Sequence, residues 1–160
     1  VFSRYLLSHL HNPAAVIARL VDALKPGGML VVEDIQFSGH ICYPPNRAFD
    51  TYLQWYAAVV GTTGGNAELG IQLPFLIKQA GLHDVQVQIA QPAGTQGPAK
   101  QMSLLTLDKI KHALLEHRIT TEAEFVAVRS GLKTITDDTE TLLSIPRTFQ
   151  VWGQKTIKIH

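Results

Sequence analysis

Three groups of residues carry side chains able to do chemistry. The first is the acid pair Glu33-Asp34, which closes a short apolar run from Met29 to Val32. A carboxylate past the tip of a buried strand can orient a substrate or accept a proton from a hydroxyl or amine. It can equally be an acid satisfied by the amides of the loop around it. Successive side chains on a strand point to opposite faces, so Glu33 and Asp34 do not act as a pair. The second group is the loop from Ser38 to Pro45, with His40, Cys42 and Tyr43. His40 is the base there whose ordinary pKa lies near neutrality. A His–Cys nucleophile pair needs a third, orienting group, and the loop supplies none. The third group is aromatic: Phe37 at the strand end, then Tyr52, Trp55 and Tyr56 on a helix. Such a stripe is core by default, although members near the helix start can line an apolar pocket. The candidates for proton transfer are therefore Asp34 and His40, and those for lining a substrate are Phe37, Tyr43, Tyr52 and Trp55.

Other polar residues are weaker candidates. Arg4 can pair with a carboxylate, whose geometry matches the guanidinium, or be a solvated loop residue. His9 and His11 lie in a turn before a helix, and no further ligand stands at a convincing spacing, so no metal site is expected. Lys109, Lys111, His112, His117 and Arg118 read as a solvated helical face.

These groups are held by a recognisable order of elements. Asn12-Pro13 is a helix start, an Asn cap followed by a Pro that has no amide to leave unbonded. Val16, Ile17, Leu20, Val21 and Leu24 then recur at helical spacing. The helix is expected to end at Lys25, before Pro26 and the reversal Gly27-Gly28. Met29 to Val32 lacks alternation, as in a strand buried on both faces, and its far end is where an open α/β sheet binds ligands. Asn46 caps a second helix, with Phe49, Leu53, Tyr56 and Val60 on one face and Tyr52 and Trp55 flanking it. A third helix spans about 69–80 and stops at Gly81. Residues 83–90 alternate as a half-buried strand. Residues 91–100, with two Pro and two Gly, read as a loop. Helices follow at 104–116 and, behind the Thr121/Glu124 capping box, through Val128. A short helix is expected at 137–144 and a last strand at 148–154.

Composition narrows the class. A chain of 160 residues with 46% apolar content suits one domain with an ample core. A net charge of +1 and the lack of a basic run disfavour a nucleic-acid partner. No run of about 18 apolar residues is present, so no membrane-spanning helix is expected. Cys42 is the sole cysteine, which excludes an intrachain disulfide and makes a reducing compartment, the cytoplasm, the simplest reading. The chain opens at Val1, inside what reads as the tail of a strand, and is expected to be a piece of a longer protein.

Ser3-Arg4-Tyr5-Leu6-Leu7, His9-Leu10, Asn12-Pro13, Leu24-Lys25-Pro26-Gly27-Gly28 and Val31-Val32-Glu33-Asp34 with Phe37, in this order, resemble the C-terminal half of class I S-adenosylmethionine-dependent methyltransferases. Ala80-Gly81-Leu82 and Phe149-Gln150-Val151-Trp152-Gly153 extend the resemblance over nearly the whole chain. It implies an α/β fold, half of a Rossmann-like sheet whose family order is 3-2-1-4-5-7-6 with strand seven antiparallel. Val1-Phe2 would end strand four, Met29–Glu33 would be strand five, 83–90 strand six and 148–154 strand seven. The half-sheet order is then 4-5-7-6. The helices between Gln101 and Ser144 would be an insertion serving as a substrate lid in a single partial domain, 1–160. Ser3, Arg4, Tyr5 and His9 would stand where the loop after strand four passes the cofactor, S-adenosylmethionine, with Arg4 near its carboxylate. The family's glycine-rich loop and ribose-binding acid have no counterpart here. Gly61-Thr62-Thr63-Gly64-Gly65 follows a helix rather than a strand and does not replace them. The resemblance thus implies a methyltransferase acting on a small molecule, with this stretch inactive alone. The alternative is a non-catalytic half that forms a homodimer through an exposed sheet edge.

Overall fold

The structure is a computed structural model that describes residues 1–157. The fold is α/β, and the chain divides into two compact units. Of the described residues, one comprises Val1–Gln36, Thr63–Ala90 and 147–157; the other comprises Phe37–Thr62 and Gln91–Pro146.

The first unit is built on a four-stranded mixed sheet. Its strands are β1 (Phe2–Arg4), β2 (Met29–Gln36), β4 (His83–Ala90) and β7 (Arg147–Gln154), in the order β1-β2-β7-β4. β1 and β2 are parallel, Phe2 opposite Val31, and are joined by helix α1 (Pro13–Asp22). β7 is antiparallel to both its neighbours, with Val151 between Val32 and Val87. Asn12 caps α1 as expected, its Oδ1 accepting the Ala15 amide at 3.0 Å. The helix ends at Asp22 rather than Lys25. The orphaned carbonyls of its last turn are met by Lys155, whose ammonium donates to the oxygens of Val21 (2.8 Å), Asp22 (3.1 Å) and Leu24 (2.9 Å). A cation at that end also complements the helix dipole. Gly27 then takes φ +76, the left-handed geometry that the reversal demands.

β2 departs from its expected form in two ways. It runs to Gln36, three residues beyond Glu33, so Asp34 lies inside the strand and not past its end. It is also not buried on both faces. Leu30 and Val32 are fully enclosed on the side that carries Ile17, Leu73 and Ile77, whereas Met29 is 47% exposed and Val31 half-buried on the other. An unbroken apolar run therefore does not mean two covered faces here. The open face holds Phe2, Val31 and Trp152 side by side. β4 forms over the expected residues, but it has no buried face: only Val85 and Ala90 are partly covered, and Val87 and Ile89 are about half exposed on this edge strand. A 3-10 turn (Leu69–Gln72) leads into α3 (Leu73–Gln79), and Gly81 (φ +89) ends that helix. Gly70 in this turn packs on the β2 backbone, where an added Cβ would meet the Ile35 carbonyl carbon at 2.7 Å.

The second unit contains α2 (Arg47–Thr62), α4 (Pro98–Glu116), α5 (Glu122–Asp137) and a small antiparallel sheet ordered β3-β6-β5. Its strands are β3 (Cys42–Tyr43), β5 (Ala93–Gly94) and β6 (Leu142–Ser144). The expected helix at 137–144 is thus a turn and a strand: Leu143 lies between Cys42 and Gly94, and its partners are across the ladder rather than along the chain. α4 begins at Pro98, inside the expected loop, since Pro suits a first helical position. Thr121 and Glu124 form the complete capping box, and α5 continues nine residues beyond Val128 to Asp137. α2 and α5 cross closely at Ala48 and Gly131, where a Cβ on the glycine would stand 2.6 Å from that of Ala48. Lys100 is 1% exposed, its ammonium donating to the carbonyls of Thr95 (3.1 Å), Thr141 (2.7 Å) and Asp138. It ties the start of α4 to the turn before β6. Among the described residues no helix is long and apolar enough to cross a membrane.

Candidate functional site

In the first unit the sequence candidates gather at the end of β1 and along β2. Arg4 Nε lies 3.1 Å from Glu33 Oε2, and its guanidinium sits over the Tyr5 ring at 4.7 Å. Glu33 also accepts from Gln150 Nε2 at 2.8 Å, so Arg4, Glu33 and Gln150 form a polar row across three strands. Tyr5 has φ 51, and its hydroxyl bonds Thr148 Oγ1 at 3.2 Å. Residues outside glycine seldom hold that backbone geometry unless surrounding contacts fix it. Ser3 is buried, with its hydroxyl unpartnered among the described residues; His9 is exposed on a 3-10 turn (Leu7–His9).

Asp34 is fully buried. Its Oδ2 accepts the Ser8 amide at 3.0 Å and its Oδ1 the Ile35 amide at 2.9 Å. Each carboxylate oxygen is therefore engaged by the backbone, and the side chain pins the Leu7–His9 turn to β2. That geometry matches the second of the two roles open to it from sequence, an acid that satisfies loop amides.

The second unit holds the remaining candidates, and it brings three of them together. Phe37 stacks on Tyr56 at 3.6 Å between centroids and 8° between planes. His40 meets the edge of Phe37 at 4.6 Å, and also packs on Phe49 (5.8 Å) and Tyr52 (6.1 Å). His40 Nδ1 lies 2.7 Å from the Phe37 carbonyl oxygen. A carbonyl only accepts, so Nδ1 carries the proton and Nε2 is left bare; it is buried and has no partner among the described residues. Burial in this aromatic nest draws the His40 pKa down to about 4, against the smaller opposing effect of the Phe37 carbonyl. His40 is thus a neutral imidazole at physiological pH. Tyr52, placed by sequence at the flank of its helix, is 1% exposed, and burial pushes its phenol well above the ordinary value. Tyr43 is 67% exposed on β3. Cys42 donates its thiol to the Pro44 carbonyl at 3.3 Å, and burial raises its pKa, so it is not poised as a thiolate.

Trp55 stands apart from this nest, in an open cleft of about 410 Å³ between α2 and α5. Ala48, Thr51 and Trp55 line one side at helical spacing, and Ala127 and Val128 the other, with Ile119 at one end. Two charged residues border the cleft, Arg47 and Glu124. Glu124 is committed to the α5 cap, where the amide and hydroxyl of Thr121 hold its carboxyl below the ordinary value. Sequence reasoning missed Arg47, Ile119 and Glu124 as members of a site. Their approach depends on the antiparallel crossing of two helices far apart in the chain, for which the sequence holds no local signal. Among the described residues no group of three or more metal-ligating side chains is found.

No protein-family model matches the sequence, and no curated protein matches it. Solved structures do. Two are of the Haemonchus contortus phosphoethanolamine N-methyltransferase 2. One is in complex with phosphomonomethylethanolamine and S-adenosylhomocysteine (16% identity, TM-score 0.43). The other is in complex with S-adenosyl-L-methionine (19% identity, TM-score 0.45). Each is matched over 99% of this chain and 33% of its own length. A candidate methyltransferase of Bacillus halodurans is matched over 98% of this chain and 68% of its own, at 16% identity and TM-score 0.49. The chain therefore spans about a third of the length of the first two.

Proposed function

We propose that residues 1–160 are the second half of an S-adenosylmethionine-dependent methyltransferase acting on a small-molecule acceptor. The observation that carries this reading is the sheet: a parallel β1-α1-β2 unit followed by β7 inserted antiparallel between β2 and β4. That order is the one the sequence resemblance implies for strands four, five, seven and six. The Pro-Gly-Gly reversal, the acid-bearing strand and the turn after β1 carry the matching residues. Methyl transfer from a sulfonium is a direct displacement, so the protein mainly aligns the nucleophile and excludes water. A dedicated base is not required, which suits an Asp34 already bonded by two amides. Ser3, Arg4, Tyr5 and His9 would line the cofactor's path, with Arg4 released from Glu33 to meet a carboxylate. The glycine-rich loop and ribose acid would lie outside this stretch, which alone would be inactive. Titration calorimetry of the full-length protein with S-adenosylmethionine tests the reading: saturable one-to-one binding supports it, and the absence of heat at millimolar cofactor defeats it.

A second reading is a non-catalytic module that pairs as a homodimer along β1. It is favoured by β1 having one strand neighbour among the described residues and by the exposure of Phe2 (60%). Light scattering separates the two, since a concentration-independent monomer excludes the pairing.

A further inference from the structure

The cleft between α2 and α5 lies wholly within the second unit, apart from the strands and turns proposed to meet the cofactor. α2 and α5 touch at Ala48 and Gly131, where only a glycine allows the approach. From that contact the helices run antiparallel towards Trp55 and Glu124, and the seam is floored by short side chains, Ala48, Thr51 and Ala127. Small residues on facing helices leave room instead of interdigitating, so the cavity is a consequence of the sequence at those positions. A half-buried indole and the aliphatic Val128 and Ile119 give it apolar walls. Ligand sites commonly combine such walls with a few convergent polar groups.

The two charges at the cleft differ in how far they are already bonded. Glu124 keeps its negative charge, but its Oε2 is engaged in the α5 cap, where it accepts from Thr121 N (3.0 Å), Thr121 Oγ1 (3.0 Å) and Thr120 Oγ1 (3.1 Å). Thr51 Oγ1 donates to the Arg47 carbonyl at 2.9 Å, which leaves the hydroxyl lone pairs free and spends its proton. The Arg47 guanidinium makes no ion pair or hydrogen bond among the described residues. The charged group at the cleft without a bonded partner is therefore a cation with a planar fork of donors, the geometry that a carboxylate meets with two parallel bonds. We propose that this cleft binds a small organic carboxylate with a flat apolar body, the ring against Trp55 and the carboxylate on Arg47.

The chain carries two tryptophans, Trp55 and Trp152, whose indole N–H signals report on different units. The probe is 3-phenylpropionate, titrated into the ¹⁵N-labelled full chain. The Trp55 indole signal is expected to move saturably, with no movement of the Trp152 signal. Arg47→Gln should weaken binding about tenfold or more, the loss of a charge-assisted bond. The amide of the same acid should bind correspondingly less well to the parent protein. Ala127→Leu, which fills the floor, should abolish the shift, and a helical circular dichroism spectrum equal to the parent's shows that the fold survives. The proposal is overturned by a Trp55 signal that does not move at 10-fold excess over about millimolar protein. Equal affinity of acid and amide, an Arg47→Gln variant that binds as the parent does, or tighter binding of phenethylammonium than of the acid overturns it as well.

Discussion

Acidification should unfold this protein through His40, and the size of the effect follows from where the imidazole sits. In the folded chain burial holds the group near pKa 4, whereas in the unfolded chain it titrates at its ordinary 6.5. Above 6.5 both states are neutral, and His40 contributes nothing to the pH dependence. Between 6.5 and 4 the unfolded chain binds a proton that the folded chain does not, so stability falls with pH by about 1.4 kcal/mol per unit. Over that window the loss reaches about 3 kcal/mol, and it stays constant below 4. Such a loss is a large part of the stability of an ordinary domain. Glu124 and Asp138, whose carboxyls lie below their ordinary values, lose stability as pH falls in parent and variant alike. The comparison that isolates His40 is therefore with His40→Phe, which keeps a ring among Phe37, Phe49 and Tyr52 and removes the proton site. Urea denaturation of both proteins at pH 7.5 and pH 4 reads the effect. The parent should lose about 3 kcal/mol more than the variant on acidification. Equal losses would refute the reasoning and show that His40 protonates in place.

Two further substitutions test the polar anchors. Lys100→Met should destabilise the protein by about 2–3 kcal/mol in urea denaturation, because the carbonyls of Thr95, Asp138 and Thr141 lose their donor; a variant as stable as the parent contradicts the anchor. Asp34→Ala should cost about 2 kcal/mol by stranding the Ser8 and Ile35 amides, and amide hydrogen exchange at Ser8 should accelerate. Unchanged exchange there would mean that the carboxylate is free for another task.

Much of the architecture could be read from local chemistry. Asn12-Pro13, the Thr121/Glu124 box and the Gly81 stop act within a turn of the residues they govern, and all three stand where the sequence puts them. The boundaries that shifted depend on distant partners. Lys155, remote in sequence, closes α1. Arg147 and Thr148 carry the ladder of β2 on to Gln36, which draws Asp34 into the strand. Leu142–Ser144 reads as a helical scrap until Cys42, Tyr43 and Gly94 supply its ladder. The site was legible in part for the same reason. The nest of Phe37, His40 and Tyr52 follows from closeness in sequence, while the partners of Trp55 in its cleft arrive from a helix some seventy residues away.

Amide NMR of the full-length protein titrated with S-adenosylhomocysteine tests most directly the proposal that the turn after β1 faces the cofactor. Saturable shifts at Ser3, Arg4, Tyr5 and His9, with Arg4 Nε moving as it exchanges Glu33 for the ligand's carboxylate, are the predicted result. Binding that leaves these signals in place, or no binding, contradicts it.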